Sequence, residues 1–174
     1  MRAAASRSSA PRAGAKKPPA ASREAAPAHL EIRIWLRLLG CANRIEAALQ
    51  RRLVAAHGVT LARFDLLAQL ERAGGVLTMT EASRRMMVTN GAVTGLVDRL
   101  TDEGFVAREP HPDDRRATLV RLTGDGRTRF LAMAREHEAW TAALLAGLPA
   151  ADKKQLLANL DALKRTLDRA EPAA

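Results

Sequence analysis

The sequence predicts a mainly α fold that carries one small β-hairpin, and three observations lead there. Apolar residues make up 47% of the 174, mostly Ala and Leu, with three Phe, two Trp and no Tyr. That mix favours packed helices over a sheet sandwich. Apolar positions recur at spacings of three and four along most of the chain, which is the helical period. Residues 105–122 break it: 105–108 and 118–122 are apolar or β-branched, and they flank a polar loop with Pro110, Pro112, Asp113 and Asp114. This reads as a hairpin with a long tip.

Residues 1–28 are rich in Ala, Pro and Ser and hold six Lys or Arg against Glu24 alone. Such a segment cannot form a core, so it is expected to be a disordered basic tail: a simple solvated arm, one adding general attraction to phosphates, or, third, a transit peptide. Residues 29–57 form a long helix, with Trp35, Leu38, Ala42, Ile45, Leu49 and Leu53 on one stripe and Gly58 as its stop. Thr60 caps a second helix that runs through Phe64, Leu67 and Leu70 to Ala73, ended by Gly74 and Gly75. Thr78 and Glu81 make a capping box for a short helix near 80–87. Thr89 caps the next, 90–102, whose inward face is Val93, Leu96, Val97 and Leu100, and Gly104 closes it.

After the hairpin, 125–145 is a helix with Phe130, Met133, His137, Trp140 and Leu144, broken at Gly147 and Pro149. The last helix, 150–170, sets Leu156, Leu160, Leu163 and Leu167 on a heptad-like seam. A small domain cannot bury the stripes at both ends of the chain. Two copies interleaving their terminal helices would do so, and packing within one chain is the other solution. The expected organisation is therefore tail 1–28, dimerisation helix 29–57, DNA-binding domain 58–124, and C-terminal dimerisation helices 125–174.

Short helix, turn, second helix and charged hairpin make a winged helix-turn-helix, whose second helix enters the DNA major groove. Thr89, Asn90, Gly91, Thr94 and Gly95 occupy the start of that helix. Asn pairs bidentately with adenine, Thr reaches a base or a thymine methyl, and glycine lets the backbone approach. Thr89 and Asn90 equally suit helix capping. Ser83, Arg84 and Arg85 on the preceding helix are candidate phosphate anchors. Arg99 suits a phosphate or an intramolecular carboxylate. A guanidinium from the tip fits a narrow minor groove.

Composition excludes several other functions. A single cysteine, Cys41, rules out an internal disulfide framework and a multi-cysteine zinc site, and points to a reducing compartment. No apolar run reaches about 18 residues, so no membrane span is expected. Residues 1–28 lack the apolar block of a secretory signal, which leaves a cytoplasmic protein. His29, His57, His111 and His137 have no metal-ligand spacing, and no nucleophile elbow or phosphate loop occurs. Neither enzyme activity nor a cofactor is expected.

The segments 88–100 (VTNGAVTGLVDRL), 114–116 (DRR), 120–123 (VRLT) and 63–70 (RFDLLAQL), in this order and spacing, resemble the MarR family of ligand-responsive bacterial regulators. The resemblance spans roughly residues 30–169. It implies a triangular homodimer of winged helices on a pseudo-palindromic operator in double-stranded DNA, usually as a repressor. It also implies that Arg116 is the wing arginine, steered by an ion pair with Asp114, and that Arg115 reaches a phosphate. The family's effector pocket lies between the dimerisation helices and the winged domain. Here the implied lining is Trp35, Leu38, Leu39, Leu66 and Trp140, with Arg33 or Arg37 for an anion. The runs around 35–39 and 137–140 look most like a branch responding to aromatic acids or their coenzyme A thioesters. Some relatives sense peroxides through a cysteine, but they use nearby tyrosines; Cys41 reads better as a small buried hydrophobe. The alternative function is an architectural or protein-docking winged-helix module without a ligand.

Overall fold

The computed structural model describes residues 29–114 and 116–170. The chain falls into two compact units divided after Arg37. Among the described residues the first unit holds only the opening of helix α1 (Leu30–His57), where Leu30, Ile32, Ile34, Trp35 and Leu36 are all exposed. The second unit continues α1 and adds α2 (Leu61–Arg72), β1 (Val76–Thr78), α3 (Met79–Met86), α4 (Asn90–Asp102), β2 (Val106–Pro110), β3 (Thr118–Leu122), α5 (Gly124–Leu144) and α6 (Ala150–Ala170). No single helix among the described residues is long and apolar enough to cross a membrane.

Threonine starts four of the helices. The hydroxyls of Thr60, Thr78, Thr89 and Thr123 accept from the backbone amides of Arg63, Glu81, Ala92 and Gly126. Each satisfies one of the amides that a helix N-terminus leaves unpaired, worth about 1 kcal/mol. At α3 the box is complete, because the Glu81 carboxylate also accepts from the Thr78 amide at 2.9 Å.

These helices close over one core. Leu66, Leu67 and Leu70 from α2, Ala82 from α3, and Val93, Val97 and Leu100 from α4 are fully buried. Leu53, Phe105, Val120, Phe130 and Met133 join them from α1, the approach to β2, the central strand and α5. Truncating one of the central leucines should cost about 2–5 kcal/mol.

The hairpin is present, but it belongs to a three-stranded antiparallel sheet in the order β1-β3-β2. Strand β1 was not anticipated from the sequence. Three residues are too few to show an alternating pattern, and β1 exists because Leu77 pairs with Val120, far along the chain. Helix α3 also ends one residue early, since Met87 adopts a left-handed conformation with φ 53°.

The terminal stripes remain uncovered among the described residues. On α1 only Leu49 and Leu53 are buried, while Leu38 and Ile45 are half-buried and Ala42 is exposed. On α6 Leu156, Leu160 and Leu167 are exposed and Leu163 is half-buried. Cys41 is exposed rather than buried, because this part of α1 has little of the chain packed over it. The tail expected at 1–28 lies outside the described residues.

Candidate nucleic-acid interface

The turn between α3 and α4 is closed by backbone and side chain together. Met87 in its left-handed conformation reverses the chain, the Val88 amide donates to the Ser83 carbonyl at 3.2 Å, and the Ser83 hydroxyl donates to the Val88 carbonyl at 2.8 Å. Ser83 therefore spends its proton on the turn and not on an outside acceptor. Arg84 and Arg85 are exposed on α3. The neighbouring Glu81 carboxyl is held below the usual range, chiefly by hydrogen bonds from the Thr78 amide and hydroxyl, and less by the charges of Arg85 and Arg84.

Inward packing of Val93, Val97 and Leu100 turns the other side of α4 to solvent. Asn90, Gly91, Ala92, Thr94 and Gly95 are all exposed there. A Cβ at Gly91 or Gly95 would meet nothing within 4 Å, so these glycines serve no internal packing and leave the backbone open to an incoming surface. Thr89 acts as the cap, accepting from Ala92 at 3.3 Å, and the Thr94 hydroxyl donates to the Asn90 carbonyl at 2.9 Å. The Thr94 hydroxyl keeps both lone pairs as acceptors on this exposed face. Arg99 is exposed and forms no ion pair among the described residues.

The wing leans on α4 through a residue that sequence reasoning missed. Arg108 on β2 pairs with Asp98 at 2.7 Å and reaches the Thr94 carbonyl at 3.4 Å. A lone Arg in a strand gives no sign of its partner in another element, so only the fold exposes this strut. At the tip, the Asp114 carboxylate accepts from the Arg116 backbone amide at 2.9 Å, and the Ala117 amide donates to the Asp114 carbonyl at 3.0 Å. The expected ion pair between the Asp114 and Arg116 side chains is not formed; the carboxylate is taken up in shaping the turn. Arg116 is exposed. Arg115 lies outside the described residues.

Helix and wing enclose a cleft of about 370 Å³ lined by Thr78 and Thr80 from α3's start, Asn90 and Thr94 from α4, and Arg108 and Arg116 from the wing. Amide, hydroxyl and guanidinium groups converge on one concave face, with no buried nucleophile and no carboxylate among the lining side chains. Such a surface is built to receive hydrogen-bond acceptors and negative charge.

The residues expected to line an effector pocket fall in both units. Trp35 and Arg37 are exposed in the N-terminal unit, and Leu38 is half-buried beside the exposed Leu39. Leu66 is a fully buried core residue and offers a ligand no surface within this chain. Trp140 is half-buried against the core, with its ring 6.3 Å from that of His57. Nearby, His137 stacks on Phe64 at 4.5 Å, and burial pushes its imidazole below its ordinary value. Phe130 completes this group, 5.4 Å from Phe64.

Comparison with known proteins gives a consistent picture. Residues 57–117 match the sequence model of the MarR family. The transcriptional activatory protein BadR of Rhodopseudomonas palustris is 36% identical over 112 residues, covering 62% of this chain and 63% of that protein. The multiple antibiotic resistance protein MarR of Salmonella typhimurium is 33% identical over 90 residues, covering 52% of this chain and 62% of that one. The chain thus spans just under two thirds of each of these relatives. Among solved structures, the MarR family regulator Sco3205 of Streptomyces coelicolor, determined in complex with DNA, superposes with a TM-score of 0.71 at 25% identity. That superposition covers 82% of this chain and 89% of the other.

Proposed function

We propose that the chain is a DNA-binding transcriptional regulator of the MarR family, and that it acts in the cytoplasm as a homodimeric repressor that leaves its operator when a small aromatic acid or its coenzyme A thioester binds. The observation that carries the DNA-binding half is the cleft shared by Asn90, Thr94 and Arg116. Asn90 and Thr94 read base edges in the major groove, Arg116 enters the adjacent minor groove, and Arg84, Arg85 and Arg99 set register on phosphates.

Dimerisation is supported by the apolar side chains that the chain leaves exposed on α1 and α6, including Leu39, Leu156, Leu160 and Leu167. Exposed apolar area of this extent, arranged in helical stripes, favours association. Two joined copies present two recognition helices, and these match half-sites one helical turn apart.

The effector reading draws on the resemblance in the terminal helices and on the aromatic group formed by Phe64, Phe130, His137 and Trp140 between α2 and α5. Of these rings the half-buried His137 and Trp140 offer surface to an aromatic acid, while Phe64 and Phe130 back them from the core. Release follows only if the ligand prefers a dimer whose recognition helices no longer match successive grooves.

The test is binding to duplexes from the promoters flanking the protein's own gene, with and without benzoate-type acids and their coenzyme A thioesters. A footprint released by one of these compounds supports the sensor. Equal binding to every duplex, indifferent to all of them, supports the architectural reading.

A further inference from the structure

We infer that Arg63 is a positioning residue: it fixes the recognition helix against the corner between α1 and α2, and so sets the half-site spacing that two joined copies read. This rests on the dimeric reading above. Arg63 is only 8% exposed, the one buried charged or polar side chain among the described residues. A buried charge persists where it is paired and hydrogen-bonded, and each guanidinium nitrogen here has an acceptor. One guanidinium nitrogen donates to the Gly58 carbonyl at 2.7 Å, Nε reaches the Thr60 hydroxyl at 3.4 Å, and Nη1 bonds the Glu103 carboxylate.

These acceptors mark the ends of three helices. Gly58 follows α1, with φ +65°. Thr60 is the N-cap of α2, and Glu103 is the C-cap of α4. A planar guanidinium with donors in fixed directions holds three such points in one geometry, which an ammonium does not. The same end of α4 is gripped from the other side. Arg129 on α5 donates to the Glu103 carbonyl at 3.0 Å, with its guanidinium 3.7 Å from the centre of the Phe105 ring. The Thr123 hydroxyl donates to the Gly104 carbonyl at 2.8 Å.

Helix α4 is thus held at its C-terminal end by this cluster and midway by the Arg108 strut, and it carries Asn90 at its N-terminal end. Thirteen residues make a rod about 20 Å long. A tilt of about 10° at the pinned end displaces the reading end by about 3 Å, close to one base-pair step. Loosening the pin should leave each copy able to read a half-site while blurring the distance between the two.

The test begins by selecting a preferred duplex from a random library with the unaltered protein. Its two half-sites are then moved one base pair closer or further apart, and a third duplex keeps a single half-site. Glu103→Ala removes the hold of Arg63 on α4 while Arg63 keeps its bonds to Gly58 and Thr60 and the backbone carbonyls of Glu103 and Gly104 keep theirs to Arg129 and Thr123. Arg63→Met removes all three, and Arg63→Lys keeps the charge alone. The unaltered protein should lose about tenfold or more in affinity when the spacing changes. Folded Glu103→Ala should lose less than about threefold, with single-half-site affinity unchanged, and Arg63→Lys should fall between. General destabilisation would instead lower affinity for all three duplexes together. A folded Glu103→Ala that discriminates spacing as well as the unaltered protein overturns the inference and leaves the dimeric reading standing. An unaltered protein indifferent to spacing overturns both.

Discussion

Replacing Arg116 with Ala isolates the contribution of the wing. The side chain is exposed and forms no ion pair among the described residues, and the only hydrogen bond from this residue to Asp114 comes from its backbone amide. Removing the guanidinium leaves no buried group unsatisfied, so unfolding stability should change by less than about 0.5 kcal/mol. Binding is another matter. An arginine in a narrow minor groove is worth about 1–3 kcal/mol for each half-site. It also displaces a counterion, so a dimer that loses two such contacts should show a log K against log salt slope shallower by about 2. The assay is fluorescence anisotropy on a labelled operator duplex at several salt concentrations, with thermal melts as the control for folding. Affinity and slope both equal to those of the unaltered protein would remove the wing from the mechanism.

Three further outcomes follow from the packing. Gly126→Ala should destabilise the fold by about 1–3 kcal/mol in urea titrations, because a Cβ there overlaps the backbone of Phe105; unchanged stability would mean that the start of α5 is free to shift. Acid should weaken the fold in two stages. The first begins as pH falls through 6.5, where His137, depressed by burial, resists protonation when folded but not when unfolded; in His137→Phe this stage should vanish from melting curves taken across pH. The second begins below 4.5, as Glu71 and Glu81, whose folded values are lowered by Arg127 and by Thr78 respectively, take up protons. Glu81→Gln should flatten this lower limb, and an unaltered acid profile would remove Glu81 from it. Asn90→Ala should relax base preference within the half-site by about 1–3 kcal/mol at the positions it contacts while leaving the salt slope unchanged, as read by competition with single-base variants.

Most of the fold was legible because its signals are local. Thr60, Thr78 and Thr89 announced three helix starts, and Gly58 and Gly104 announced stops, since caps and left-handed turns are written within four residues of where they act. The exposed face of α4 followed from the spacing of Val93, Val97 and Leu100. What escaped was non-local. Strand β1 depends on pairing with β3, Arg108 on Asp98 in another element, and the burial of Arg63 on a carboxylate forty residues away. The Asp114–Arg116 ion pair that the resemblance implied is absent for a different reason: in a tight turn the backbone amide of Arg116 is nearer to the carboxylate. Cys41 was expected to be buried because a free cysteine packs as a small hydrophobe and no tyrosine is present to activate it, yet it is exposed among the described residues.

The account stands on two chains acting as one reader. Sedimentation of the purified protein, alone and with a labelled operator duplex, tests this most directly. The expected result is a species of twice the 18.8 kDa chain mass at micromolar concentration, and two chains bound per duplex. A species of single-chain mass that saturates the operator one chain at a time, with full affinity, would contradict it.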